Sequence, residues 1–303
     1  MNDLSPLVTV LGSLHYDIMV DGPARPRKGE TVTGTAWRPK CGGKGGNQAV
    51  ATAGAGVRAA MIGVVGDDDF GEALLANLDR RGVDRRFIRI EPGIGSGMSV
   101  AFFDADGDYG AVIISGANLT LSAKDVIAAA ALIAETRVLI LQNEVPDAAT
   151  LAAARAAPTA GGKVLLNAAP ARPLPAELAA LVDILVVNAI EAEMLSDTAV
   201  IDTIEKAREA AKTLTRLCPM VVVTAGGDGV AFADRHGGSK TIPAENIKVE
   251  STHGAGDQFV GALAAALASG APIEIALETA NHAAALLVST PERDRDGAAV
   301  VRA

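Results

Sequence analysis

The chain has 303 residues and a formal net charge of −9, from 27 Lys and Arg against 36 Asp and Glu. That balance repels phosphate backbones and anionic lipid, which argues against nucleic-acid or membrane-surface binding while leaving room for a local basic pocket. The length admits one large α/β domain or two, and 49% hydrophobic content rules out disorder over most of the chain. Aromatics are only 3% against 32 Gly, so the core must be small and aliphatic, with helices lying close on a sheet. Cys41 and Cys218 are the only cysteines. They give neither a disulfide framework nor a Cys-based metal site, and a reducing cytoplasm is the expected setting.

The first residues, MNDLSPLVTVLGSLHYD, lack the pattern of a secretory signal, and no export is expected. Strands are predicted at Leu7–Leu11, Ala59–Val64, Val138–Leu141, Val164–Leu166, Ile184–Val187 and Met220–Thr224, with Ala-rich helical patterns between most of them. This alternation implies βαβ units and a mostly parallel sheet covered on both faces. Two segments break the rhythm. Thr31–Lys40 is one; the other is Met98–Ile114, where SVAFF and YGAVII flank the turn Asp104–Asp108 as in a hairpin. Together they imply a small separate sheet, placed as a lid. The longest apolar run, Val126–Ala134, is half of the roughly 20 residues a membrane span needs and reads as a buried helix. The charged tail Pro291–Gly297 reads as a surface loop.

Three clusters carry candidate chemistry. Gly12-Ser13-Leu14-His15-Tyr16-Asp17 follows the first strand at the edge where open α/β sheets bind ligands. Asp17 there can accept from two sugar hydroxyls, or merely cap a loop. No G-x-G-x-x-G follows Leu11, which weakens a dehydrogenase reading. The second cluster is Cys41-Gly42-Gly43-Lys44-Gly45-Gly46-Asn47-Gln48 ahead of a small-residue helix at Ala49–Ala55. Its glycines admit a ligand close to the backbone, although it departs from the Walker pattern. In the third, Ser251-Thr252-His253-Gly254-Ala255-Gly256-Asp257, backbone N–H groups at the mouth of the helix Gln258–Ala268 suit an anion. Asp257 is either that helix's cap or a general base beside an anion hole, the pair that phosphoryl transfer to a hydroxyl needs.

The second and third clusters coincide with known signatures. Gly42 to Ala51 resembles the N-terminal signature of the ribokinase family of carbohydrate kinases, of the phosphofructokinase-B type, and Thr252 to Asp257 with Phe259 and Gly261 resembles the C-terminal one. Either alone is weak; the pair, in the expected order, is specific. The resemblance covers essentially the whole chain. It implies a single α/β domain over 1–303, a three-layer αβα fold with a mainly parallel central sheet, and a small β-sheet lid at about 14–40 and 97–115 that also forms a dimer contact.

By similarity, Asp257 is the base, and Gly254, Ala255 and Gly256 form the anion hole. Asp17, His15, Gly42, Gly43, Lys44 and Asn47 hold the sugar, with Glu144 close by. Asn188 and Glu191 match an Asn-x-x-Glu element that places Mg2+, through water, and the phosphates; they read equally as a helix cap and a first-turn acid. Thr224, Gly226 and Gly229 match the loop that receives ATP, and Asn281 falls near the adenine. The implied activity is ATP-dependent phosphorylation of a small sugar. A nucleoside kinase of the same superfamily and a non-catalytic sugar sensor are the alternatives. Two departures bear on this. His15-Tyr16-Asp17 stands where ribokinases usually have Asn-x-Asp, which leaves the sugar open. Ser251 stands where the family commonly has an Asp supporting a monovalent cation, which implies weak dependence on potassium. His253, His236 and His282 read as isolated loop or surface histidines.

Overall fold

The computed structural model describes residues 7–104, 109–157, 162–292, 295 and 301–302. The first apolar run forms strand β1 (Leu7–Leu11), buried along its whole length. Successive side chains leave a strand on opposite faces, so Leu7 and Leu11 enter one hydrophobic cluster while Val8 and Val10 enter another. A strand buried on both faces needs a helical layer on each side. The neighbouring strands β4 (Arg58–Gly66), β8 (Val138–Gln142), β9 (Lys163–Asn167), β10 (Ile184–Asn188) and β11 (Met220–Thr224) repeat the demand, and the partly buried β5 (Val83–Glu91) closes one edge, all in parallel pairings. Strands β12 (Val230–Asp234) and β13 (Ser239–Ile242) extend one edge antiparallel. The order is β13-β12-β11-β10-β9-β8-β1-β4-β5.

One face of this sheet is covered by α1 (Lys44–Gly54), α2 (Asp69–Arg80), α9 (Ala255–Ala268) and α10 (Ile273–Val288), which contribute Ala49, Leu74, Leu263 and Leu277 to the core. The opposite face carries α3 (Ala123–Ala128), α4 (Ala130–Glu135), α5 (Asp147–Ala156), α6 (Ala176–Ala179), α7 (Ala189–Ser196) and α8 (Ile204–Leu214). The αβα layering is thus the expected one. Alanine dominates the helix contacts, and this lets the layers approach closely.

A second sheet stands apart, in the order β14 (Val301–Arg302), β3 (Ala36–Gly42), β2 (His15–Asp21), β6 (Met98–Phe103) and β7 (Tyr109–Ile114). The expected hairpin arms are β6 and β7, paired antiparallel from Met98–Ile114 to Phe103–Tyr109. Most of their turn, 105–108, lies outside the described residues. Strand β3 takes up only the end of the irregular stretch Thr31–Lys40.

Three expectations need correction. Val126–Ala134 is not one buried helix: Ala129 leaves helical geometry (φ −93°, ψ 10°), and the chain restarts as α4. The break turns Leu132 and Ile133 into the core while Ile127 is left 73% exposed. The helix predicted from Ala49 begins instead at Lys44, because the glycine run itself supplies its first turn. The tail is not simply a surface loop: Glu292 is partly buried and accepts from Ser251 Oγ at 2.6 Å.

Candidate active site

The parallel strands end at one edge, and the loops leaving β1, β8, β9, β10 and β11 gather there with the starts of α1 and α9. Gly43 caps α1 with φ 82°, and a Cβ on it would come within 2.7 Å of His15 N. Only glycine lets the helix start this close to β2. With α1 so placed, Lys44 N–H donates to Glu144 Oε2 at 3.0 Å, and Ser13 Oγ donates to the same oxygen at 2.5 Å. Glu144 thereby ties the ends of β1 and β8 to the helix.

Helix α9 starts at Gly254, whose φ of 81° turns the chain sharply into the helix and puts Asp257 in the first turn. Asp257 is 9% exposed. Its Oδ2 accepts from Asn47 Nδ2 and its Oδ1 from Gln48 Nε2, both at 2.9 Å. Burial pushes the carboxyl above its ordinary range; the Lys44 charge and the two amides pull against that shift. The result is a carboxylate fixed on both oxygens yet disposed to take a proton. Ala255 N–H donates to Thr252 O at 3.2 Å. The remaining first-turn N–H donors, on Gly256 and Asp257, have no acceptor within the helix.

Across from Asp257, the strand pairing sets His15 beside Gly42 and Asp17 beside Lys40. Asp17 Oδ1 accepts from Ser99 Oγ of β6 at 2.5 Å, and burial raises its pKa, opposed by Ser99, His15 and Lys40. His15 is buried, and its Nε2 has no hydrogen-bond partner. Tyr16 points to the opposite face of this sheet, where it stacks on Phe70 with ring centroids 4.5 Å apart. Asp17, His15, Gly42, Gly43, Lys44, Asn47, Glu144 and Asp257 thus converge between the small sheet and the large one.

The residues expected to face the nucleotide form a second group. Asn188, Glu191 and Thr224 line a cavity of about 310 Å³ together with Lys44, Gly254, Ala255, Gly256 and Asp257. It shares Thr224, Gly226, Thr252, Ala255 and Gly256 with a cavity of about 550 Å³ that reaches Gly229 and Asn281. Asn281 Nδ2 donates to Pro243 O at 3.0 Å, which holds the rim. Asn188 and Glu191 cap α7 reciprocally: Asn188 Oδ1 accepts from Glu191 N–H and Glu191 Oε2 from Asn188 N–H, both at 2.8 Å. The cap does not remove Glu191 from the cavity, where burial raises its pKa. Among the described residues, no three His, Cys, Asp or Glu side chains cluster as a metal cage. Mg2+ bound to ATP needs only one or two carboxylates beside the phosphates, and Glu191 and Asp257 border the same cavity. The donor set fits such an ion.

Sequence reasoning did not single out Gln48, Ser13 or Ser99. Gln48 stands inside the glycine-rich signature, but a neutral amide carries no chemistry that its type alone announces. Ser13 and Ser99 act by holding Glu144 and Asp17, a role visible only once the strands are paired.

The pfkB family carbohydrate kinase model matches residues 5–295. Mouse (Mus musculus) ribokinase is 36% identical over 285 residues, covering 93% of this chain and 88% of the relative. A deoxyribokinase of Salmonella typhi is 33% identical over 284 residues, covering 93% and 92%. The structure of Arabidopsis thaliana ribokinase complexed with ribose and ATP superposes with a TM-score of 0.87 at 29% identity, covering 96% of this chain and 97% of that one. With both signatures placed around one cleft and the family model spanning nearly all of the sequence, the chain belongs to the pfkB family and is an ATP-dependent carbohydrate kinase.

Proposed function

We propose that the chain transfers the γ-phosphoryl group of ATP to the primary hydroxyl of a ribose-type sugar. The sugar lies between Asp17 and Asp257. Asp257 takes the hydroxyl proton as the oxygen forms its bond to the γ-phosphorus and the bond from that phosphorus to the bridging oxygen of ADP breaks. The N–H groups at the start of α9 face the charge on the transferring group, and Lys44 adds a positive charge beside it. Glu191, at the wall of the same cavity, would hold Mg2+ beside the phosphates, and the ion would supply positive charge against theirs. Asn188, Thr224, Gly226, Gly229 and Asn281 seat the nucleotide.

The observation that carries this reading is Asp257, held on both carboxylate oxygens at the mouth of α9, facing the cavity. A sensor needs no such base. A nucleoside kinase would need an aromatic surface for the base, and Tyr16 is engaged with Phe70 on the other side of the lid sheet. ADP release measured over pentoses, hexoses, keto-sugars and nucleosides tests the proposal. A pentose should rank first; a nucleoside in first place, or no ADP with any acceptor, overturns it.

The small sheet acts as the lid, and it pairs with a second copy of the chain. Support comes from β7 at the sheet edge, where Val112, Ile113 and Ile114 are 68%, 58% and 55% exposed. Sedimentation should show a dimer, and a monomer at working concentration would contradict the pairing. Amide exchange over Met98–Ile114 should slow when sugar is added. The cytoplasm is the proposed location, a reducing setting that suits a chain whose two cysteines, Cys41 and Cys218, form no disulfide framework. Among the described residues no helix is long and apolar enough to cross a membrane.

A further inference from the structure

The loop ahead of Asp257 is gripped by one side chain from the C-terminal segment. Arg295 donates from Nε to Thr290 O at 2.7 Å, from Nη1 to His253 O at 2.8 Å and from Nη2 to Ser251 O at 2.7 Å. Three backbone carbonyls from two stretches of chain therefore converge on a single positive charge. Backbone carbonyls grouped in this way are also how proteins surround a free hard cation.

Ser251 adds no carboxylate to that group. Its hydroxyl donates to Glu292 Oε1 at 2.6 Å and accepts from His253 N–H at 3.3 Å. Glu292 in turn meets Arg38 Nη2 of β3 at 3.3 Å, so the loop is also tied to the lid. A hydroxyl already engaged, together with carbonyls already bound to a guanidinium, does not fit a potassium ion. A second cation on those oxygens would lie against the guanidinium charge.

We infer that Arg295 is a positioning residue for phosphoryl transfer, its guanidinium holding the Ser251 and His253 carbonyls in place of a free monovalent cation. It acts through 251–254, the segment that aims the start of α9 and so sets the carboxylate of Asp257. The planar fork reaches three acceptors at once, which a lysine ammonium matches only as a point charge. The inference rests on the kinase reading. An enzyme inactive on every acceptor in every salt fails that reading, whereas the comparisons below need only an active wild type.

The test exchanges sodium, potassium and choline chlorides at fixed ionic strength and repeats the series with Arg295→Ala and Arg295→Lys. Wild-type kcat should change by less than about twofold, since an ion without a site shifts nothing. Arg295→Ala should lose kcat by about 10²-fold, as displaced catalytic geometry does, with both KM values within about threefold. Added guanidinium or potassium should restore part of that loss, Arg295→Lys should lie between the two, and amide exchange over 251–256 should quicken in Arg295→Ala. Tenfold or greater activation of the wild type by potassium overturns the inference even if a variant fails to fold. Wild-type kcat in Arg295→Ala overturns it, as does a loss that neither cation restores in a folded variant.

Discussion

Gln48 Nε2 donates to Asp257 Oδ1 at 2.9 Å, joining the helix of the first signature to the helix of the second across 209 positions of the chain. The same nitrogen donates to Asn167 Oδ1 at 3.1 Å, and Gln48 Oε1 accepts from Gln142 Nε2 at 2.7 Å. The carboxylate of Asp257, the proposed base, is thereby anchored, through one buried amide, to the ends of β8 and β9.

Replacing Gln48 by Met keeps the volume and removes the donor to the charged carboxylate. Burial already raises the Asp257 pKa, and losing a hydrogen bond that favours the charged form raises it further. At about 1.5–3 kcal/mol for a bond to a charged group and about 1.4 kcal/mol per pH unit, the acid limb of kcat/KM should move up by about one unit or more. A limb that stays in place would separate Gln48 from the base.

Helices α1 and α9 meet without room to spare. A Cβ on Gly261 would fall 2.5 Å from Ala51 Cβ and 2.8 Å from Gln48 O. Gly261→Ala should therefore destabilise the fold by about 1–3 kcal/mol, the usual range for overpacking, and lower kcat by displacing Gln48. Urea unfolding with a midpoint equal to that of the wild type would contradict this.

The buried strands were readable because each is apolar along its length, and the two signatures located α1 and α9, although their glycine turns hid the helix starts, which fall at Lys44 and Ala255 rather than at Ala49 and Gln258. The elements missed are those with charged or mixed faces. Edge strand β5 carries Asp84, Arg85, Arg86 and Arg89, and β2 runs HYDIMVD; neither alternates cleanly nor reads as a buried run. Arg295 was hidden for the same reason, since a charged tail looks solvated until its guanidinium is seen on three carbonyls. Asp17 and Asp257 were legible as acids at strand and helix ends. The serines and amides that hold them were not, because their partners lie far away in sequence.

Asp17, proposed to bind the sugar, carries a stability cost. Its pKa is raised from 3.8 on folding, chiefly by burial, so the folded chain binds the proton more tightly than the unfolded chain does. The cost is absent below the unfolded value and full above the folded one. Asp17→Asn should melt higher than wild type at pH 7, with the gap closing as pH falls toward 3.8. It should raise the sugar KM by about tenfold or more, the loss of one charged hydrogen bond. Equal melting temperatures at pH 7 would contradict the linkage.

His15 presents a buried Nε2 with no hydrogen-bond partner, on the same face of β2 as Asp17, the face proposed to meet the sugar. One imidazole nitrogen and one amide do not read hydroxyls alike. His15→Asn should change the rank order across the sugar panel and move it toward ribose. An unchanged order would show that His15 only packs beside the lid.

Asp257→Asn keeps the shape of the side chain and removes its capacity to take a proton. Steady-state ADP release with the best sugar of the panel, compared between wild type and this variant, should show kcat lower by about 10²–10⁴-fold, as loss of a general base does, with the sugar Kd little changed. Turnover within a few-fold of the wild type would contradict the assignment of Asp257 as the base.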